Sequence, residues 1–472
     1  MEGVEAALCV DLDGTLLKSD LLYESLLSLL SKNPFYLLML PLWLLRGKAA
    51  LKHEIASRVE LDPSSLPYDE RLVTRLRNTN ARPRVLCTAS NVKFAQSISE
   101  HLNLFELVLS STETSNLSGH RKADALVERF GERGFDYVGN DHIDLQVWRR
   151  ARKAWVVNAA PSLAMRAAKV CDVVEQMPME GAGIRTWIKA FRIHQWLKNL
   201  LVFVPLLASH RFFDTHAVSS SLLAFVAFGL CASGVYVLND LLDLPSDRQH
   251  PRKRLRPFAS GRLPLVQGLF AAALLALCGF AVAWLVGLKF MAVLISYYVM
   301  TLAYSLRLKR VVMVDVVLLA GLYTVRIVGG AAALDSGLSF WLLAFSMFVF
   351  LSLAMLKRYT ELAGALANGQ SNASGRGYSV ADLSLIQSFG AASGYIAVMV
   401  FALYINSPAS LELYARPQFL WLLCPMLLYW VSRMWMVSHR GEMHDDPVIF
   451  AVTDRVSQTV ILICGLMVLG AI

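Results

Sequence analysis

From residue 196 onward the chain consists of long apolar runs separated by short polar turns. Nine runs approach the roughly 20 residues that carry a helix across a bilayer: about 197–213, 217–238, 264–287, 290–306, 312–333, 338–356, 384–405, 417–436 and 456–472. The stretches 263–288 and 383–411 hold no acidic or basic residue, whereas 197–213 is the weakest span, short and interrupted by Pro205. Before residue 160 the period changes. AALCVDLD, RVLCTAS, LVLSS, FDYVGND and KAWVVN are short apolar runs with helical patterns between them, which predicts buried strands in a parallel α/β sheet. A helical insert is expected at about 16–75. Within it, FYLLMLPLWLL (35–45) is apolar but too short to span, and reads as a core helix of the insert in preference to a patch resting on the membrane. The expected organisation is an α/β domain over 1–160, a linker over 161–190 and an all-α membrane domain of nine transmembrane helices over 191–472.

Composition agrees with a membrane protein. Of 472 residues, 56% are hydrophobic and 17% charged, with a mean hydropathy of +0.47, against roughly 25% charged in soluble domains. Disordered and fibrous classes are excluded. The net charge of +9 is uneven: residues 1–183 carry 22 basic and 23 acidic side chains, residues 184–472 carry 23 and 13. With the N-terminus in the cytosol, the loops on the cytosolic side of nine spans hold fifteen Lys and Arg against three on the other. That is the positive-inside bias, so the basic excess calls for no nucleic-acid partner. The seven cysteines form no CxxC pair and imply neither a zinc site nor a disulfide framework. The opening MEGVEAALCVDLDG has no basic n-region, so no signal peptide is expected. The predicted placement is a multi-pass protein of the cell (inner or plasma) membrane, with its N-terminal domain cytosolic and its C-terminus on the opposite side.

In a doubly wound sheet, ligands sit at the carboxyl ends of the strands. Asp11 and Asp13 (DLDGT) follow the first strand, Thr88 follows RVLC, Lys122 stands in GHRKAD, and Asn140, Asp141 and Asp144 form GNDHID after FDYV. One carboxylate can attack phosphorus, a second two residues on can act as acid and base, and a third can hold Mg²⁺. Thr and Lys neutralise phosphoryl charge. These four motifs, in order, resemble the haloacid dehalogenase-like phosphatases, with a Rossmann-like α/β fold and a helical cap at the insert. The resemblance implies Asp11 as nucleophile, Asp13 as acid/base, Thr88 and Lys122 as catalytic partners, and Mg²⁺ held by Asp11, Asp13 and Asp141. The cap would choose the substrate.

In the membrane part, charges at the bilayer edge are costly and mark function. The second span ends in VYVLNDLLDLPSDRQHPRKRLRPFASG, where Asp240, Asp243 and Asp247 recur along one helix face. Three carboxylates in a row call for a cation, and Mg²⁺ carrying a diphosphate suits them. Lys198, Arg254, Lys309, Asp315, Arg326, Lys357, Arg358 and Arg376 stand at the same predicted level or within a span. Asp315 and Arg326, in one apolar run, could simply pair with each other. NDxxDxxxD after the second span resembles the UbiA-type intramembrane prenyltransferase superfamily. HQWLKN, HPRKRLRPFASG, YSLRLKRVVMVD, LKRYTEL, RGYSVADL and DDPVIFAVTDRVS resemble its decaprenyl-phosphate phosphoribosyltransferase branch over about 185–472.

That resemblance implies transfer of 5-phosphoribose from phosphoribosyl diphosphate to a polyprenyl phosphate. Asp240, Asp243 and Asp247 would hold Mg²⁺ and diphosphate. Asn239, Lys198, Arg254, Lys309, Asp315, Lys357, Arg358 and Arg376 would line the substrates. Two features depart from the pattern: Asp315 has Val311 and Leu319 where a second DxxxD motif would place aspartate, and Ile193 stands where proline is expected before HQW. Fewer carboxylates and more Lys and Arg suit a diphosphate plus two monophosphates. The predicted sequence of events is transfer followed by removal of the 5-phosphate, giving polyprenyl-phosphate-ribose. An aromatic (quinone-type) prenyltransferase fused to an unrelated phosphatase, and a transporter using Asp315 and Arg326, are the other readings. Lipid chain length and oligomeric state are left open.

Overall fold

The computed structural model describes residues 6–78, 82–179, 183–369, 377–443 and 446–472. The chain forms two compact units, one of residues 1–191 with 236–272, the other of 192–235 with 273–472.

In the first unit, six parallel strands form one sheet: β1 (Ala7–Val10), β2 (Arg84–Asn91), β3 (Leu107–Ser111), β4 (Phe135–Gly139), β5 (Lys153–Ala159) and β6 (Asp172–Pro178), in the order β3-β2-β1-β4-β5-β6. Successive β1 residues point to opposite faces. Leu8 and Val10 enter a core with Leu86, Phe94, Ile98 and Val138. Ala7 and Cys9 enter another with Val85, Leu126, Tyr137 and Trp148. Burial on both faces is why the strands read as continuous apolar runs. β6 lies in the stretch expected to be a linker. It is an edge strand whose residues alternate between exposed and half-buried, so it has no apolar run.

The insert is helical, as expected, with Leu21–Lys32, Lys48–Ala56 and Glu70–Arg77 its longer helices. Asp20 and Asp69 cap the first and last of these by accepting from Leu22 and Arg71 N–H groups. FYLLMLPLWLL is not a core helix. It forms a 3₁₀ turn, Pro34–Leu38, and a short helix, Leu40–Leu45, of which only Trp43 is buried.

Residues 236–272 complete this unit. Val237, Leu241, Leu244, Phe258 and Leu265 share one apolar cluster with Leu27 of the insert and Ala190. Beside it Arg248 donates to both carboxylate oxygens of Glu24, at 3.0 and 2.6 Å, with both side chains buried. Arg248 Nε also donates to Ala259 O at 2.9 Å. Removing one member of such a pair leaves a buried charge without its partner, at about 3–5 kcal/mol. Glu24→Ala is therefore expected to lower the unfolding midpoint of the detergent-purified protein by several degrees in the first unit. An unchanged midpoint in a thermal scan would contradict this.

Seven helices have the length and hydropathy to cross a membrane: Thr215–Leu242, Leu265–Val286, Leu288–Leu306, Val314–Ala333, Phe340–Ala367, Val380–Ile405 and Pro417–His439. A bent pair, Pro447–Thr453 and Arg455–Ala471, meeting at 73°, brings the number to eight if it is one span. The span expected at 197–213 is a shorter apolar segment, Ile193–Ala208, mostly 3₁₀ up to Phe203. The nine expected helices are thus seven or eight among the described residues. In the second unit, small residues set the closest approaches. A Cβ at Gly390 would meet Trp435 at 2.3 Å, and one at Gly394 would meet Val431 at 2.5 Å. This is the small-xxx-small packing of membrane helices.

Candidate active site

At the carboxyl ends of β1, β2 and β4, the structure brings together the α/β residues that the sequence singles out. Gly14, at φ +74°, turns the chain after Asp13, and a Cβ there would overlap the Asn140 side chain. Thr15 Oγ1 donates to Asn140 Oδ1 at 3.1 Å, which ties the DLDGT turn to the GND loop. Lys122 Nζ donates to Asp11 Oδ1 at 2.7 Å and to Tyr137 Oη at 3.0 Å. Asp13 Oδ2 accepts from Ser90 Oγ at 2.6 Å and lies 3.4 Å from Thr88 Oγ1, while Asp13 Oδ1 accepts from Leu21 N–H at 2.8 Å.

Burial pushes the Asp11 carboxyl up to about 7, against the pull of Lys122. Burial likewise lifts Asp13 to about 6, with the Asp20 carboxylate adding to the rise. Two carboxyls held near neutrality, two residues apart, can exchange protons and attack an electrophile. Burial alone would lower Lys122, but the Asp11 and Asp144 carboxylates raise it above its ordinary value.

The third acid divides into two roles. Asp141, expected as the metal ligand, is exposed and accepts from Ile143 N–H at 3.2 Å. Asp144 is buried and shapes the loop, accepting from the N–H groups of Asn140 and Asp141, both at 2.9 Å, and from Tyr137 Oη at 3.0 Å. Sequence reasoning missed Lys52 of the insert. Its Nζ donates to Ala89 O at 2.6 Å and Asn116 Oδ1 at 3.1 Å, and burial lowers its pKa against the pull of Asp13 and Asp20. No local spacing pointed to it.

The acidic motif belongs to the first unit. Asp240 ends the long helix, Asp243 caps a short one, Leu244–Gln249, and Asp247 lies within that. Arg256 Nη1 donates to Asp240 Oδ1 at 3.2 Å and to Asp247 Oδ2 at 2.6 Å, so both buried carboxylates converge on one positive group. Asn239 and Asp243 are half-buried and Arg254 is exposed.

Among the described residues no three His, Cys, Asp or Glu side chains are set to hold a metal ion. Mg²⁺ asks for less from a protein: one or two carboxylates, with water and phosphate oxygens completing its octahedron. Asp240 and Asp247, already convergent on a cation, fit that requirement. Asp11, Asp13 and Asp141 offer the same hard oxygen donors.

In the second unit three sets of charges among the described residues bear on the predicted site. Asp446 Oδ2 accepts from Lys198 Nζ at 2.9 Å and Lys357 Nζ at 2.7 Å, and Tyr323 Oη reaches Asp446 Oδ1 at 3.3 Å. Two ammonium groups on one carboxylate leave the cluster with a net positive charge. Asp446 is a site residue that sequence reasoning did not single out, because its partners lie 89 and 248 positions away.

Asp315 pairs with Arg358 Nε at 2.7 Å and accepts from Tyr378 Oη at 2.5 Å. Arg358 also donates to Glu361 and, at 3.2 Å, to Tyr304 Oη. With 1% of its side chain exposed, Arg358 braces the helices and has no surface to offer a phosphate in this state, nor has Asp315. Arg326 does not pair with Asp315. It donates to Asn199 Oδ1 at 2.9 Å, to Leu322 O and to Tyr297 Oη at 3.0 Å. Lys309 is half-buried in a turn after Leu288–Leu306. Arg376 lies outside the described residues.

Long apolar helices with their charges paired inside define a multi-pass integral membrane protein. Residues 200–453 match the UbiA prenyltransferase family, and the chain belongs to that family; it is a transferase. The uncharacterized protein y4nM of Sinorhizobium fredii is 37% identical over 456 residues, 95% of this chain and 88% of its own. The decaprenyl-phosphate phosphoribosyltransferase of Mycobacterium tuberculosis is 37% identical over 196 residues, 40% of this chain and 64% of its own. Among solved structures, a UbiA homolog from Archaeoglobus fulgidus bound to GPP and Mg²⁺ aligns at a TM-score of 0.47 with 11% identity, covering 61% of this chain and 99% of that one.

Proposed function

We propose that the protein transfers 5-phosphoribose from phosphoribosyl diphosphate to a polyprenyl phosphate, and that its α/β domain, a haloacid dehalogenase-like phosphatase, then removes the 5-phosphate. The observation that carries the transferase reading is the 37% identity with the mycobacterial decaprenyl-phosphate phosphoribosyltransferase. Asp240, Asp243 and Asp247 would hold Mg²⁺, which neutralises the departing diphosphate. Lys198 and Lys357, both turned on Asp446, would hand their charge to an incoming phosphate. A lipid phosphate oxygen bonds to C1 of the ribose as the C1–O bond to diphosphate breaks, the electron pair leaving with diphosphate.

For the second step, Asp11 forms a bond to phosphorus while the ester P–O bond breaks and Asp13 gives its proton to the leaving 5-oxygen. Water then attacks the acyl-phosphate, its proton passing to Asp13, and inorganic phosphate departs. Lys122 and Thr88 offset the charge on the phosphoryl oxygens. Asp11, Asp13 and Asp141 would hold the Mg²⁺ of this site, which screens the same charge.

The topology supports this reading. Residues 1–191 and 243–264 belong to one compact unit, and a unit held on one side of the bilayer requires an even number of crossings between them. Thr215–Leu242 would be one crossing and Ile193–Ala208, shorter than the seven membrane-length helices, the other. Eleven residues of 3₁₀ helix at about 2.0 Å each, followed by five of α-helix, reach roughly 30 Å, the thickness of the hydrocarbon core. On the cytosolic side, where the basic loops would place it, the α/β domain would have phosphoribosyl diphosphate available.

Mass analysis of lipids made by the purified protein tests the whole reading. With isotope-labelled phosphoribosyl diphosphate and polyprenyl phosphate, the expected product carries the pentose and no 5-phosphate. Label entering lipid from a prenyl diphosphate and an aromatic acceptor instead would replace this reading with the aromatic prenyltransferase.

A further inference from the structure

The segment between the first two helices of the insert is inverted relative to a protein core. Trp43 faces inward, packed with Leu29, Ile55 and Val59, and the half-buried Tyr36 and Leu40 pack against the same cluster. The Trp43 ring lies 6.0 Å from Tyr36 and 4.9 Å below the Arg58 guanidinium. Six others face out: Phe35, Leu38 and Leu45 are 74%, 73% and 85% exposed, and Leu37, Leu42 and Leu44 each more than half. Six large apolar side chains in eleven residues make a contiguous patch of the kind that marks an interaction surface. The inward tryptophan fixes which way it points.

Its surroundings identify the occupant. There is no acidic residue between Glu24 and Glu54; the exposed Lys32 and Lys48 flank the patch, and Arg46 beside it is paired with Glu54 at 3.0 Å. The same compact unit contains the ends of two membrane-crossing helices, Tyr236–Leu242 and Leu265–Ala272, so the bilayer surface reaches this unit. Helix Leu21–Lys32, which runs directly into the patch, joins through Leu27 the apolar cluster holding Val237, Leu241 and Leu265. The segment is too short to span. Short apolar helices with basic flanks lie in the interface, apolar side down among the acyl chains and cations at the headgroups.

We propose that Pro34–Leu45 is a second, interfacial membrane contact, resting on an anionic phospholipid surface and holding the insert of the α/β domain against the bilayer. An apolar lipid product could then present its headgroup to the α/β site without leaving the membrane.

The test uses the full-length protein in lipid nanodiscs, with photoreactive benzoylphenylalanine at position 38 or, in a second variant, at 45. The control carries it at the exposed Glu128, on a helix remote in sequence from the patch. After irradiation, mass spectrometry is expected to find phospholipid adducts at 38 and 45 and at least tenfold fewer at 128. Adduct yield should be several-fold higher with phosphatidylglycerol than with phosphatidylcholine alone. Crosslinked protein dimers in place of lipid adducts would make the patch an interface between copies and overturn the proposal, as would equal yields at 38, 45 and 128. Equal yields in the two lipids would overturn the role given to the basic flanks.

Discussion

An Asp11→Asn chain is expected to accumulate the lipid that still carries its 5-phosphate. The amide keeps the shape and the acceptor that Lys122 Nζ meets at 2.7 Å, so the fold and the transferase step survive. What it lacks is the carboxylate oxygen that bonds to phosphorus. Loss of a nucleophile in a covalent mechanism costs about a thousandfold or more, because the remaining groups serve an intermediate that no longer forms. Mass analysis of the lipid, with inorganic phosphate measured in parallel, reads both products. Dephosphorylation at the wild-type rate would show that Asp11 is not the nucleophile for this substrate and that the two steps are not coupled on this chain.

The second large effect is expected at the acidic motif. Asp240→Asn removes one of the two carboxylates that converge on Arg256 while preserving its volume. With one carboxylate fewer facing Arg256, the motif would hold Mg²⁺ and its diphosphate far less well. Release of diphosphate should fall about a hundredfold or more, with phosphate release from a synthetic 5-phosphorylated lipid unchanged. Excess Mg²⁺ should recover part of the loss. A variant with normal diphosphate release would exclude Asp240 from the metal site. The opposite separation in the two variants, one step lost in each, distinguishes two chemistries from a shared collapse of structure.

The α/β site was legible because its chemistry follows directly from strands. Asp11, Thr88 and the GND loop each come just after an apolar run, and a parallel sheet gathers such positions at one edge. β6 was not legible, since an edge strand with alternating exposure has no apolar run. The insert's apolar segment was read as core because composition says nothing about which way side chains face. In the membrane part most spans were readable by length, but where their helices end was not. The run at 338–356 stops at the first charge, whereas the helix continues to Ala367. Lys357 and Arg358 therefore sit within it, their charges met by Asp446, Asp315 and Glu361. Partners this far apart in sequence leave no spacing to read, and the same holds for Glu24 and Arg248, 224 positions apart.

The composition of the first unit from two separate stretches of chain bears on how the protein is made. When residue 191 leaves the ribosome, the sheet can form, but Leu27 and Glu24 still face water, since Val237, Phe258 and Arg248 are not yet synthesised. Their arrival waits on synthesis of the chain beyond Thr215–Leu242, a helix apolar enough to cross a membrane. The α/β domain thus cannot finish folding until the first membrane-length helix has been made, and a chain that stops short of it keeps an open apolar face.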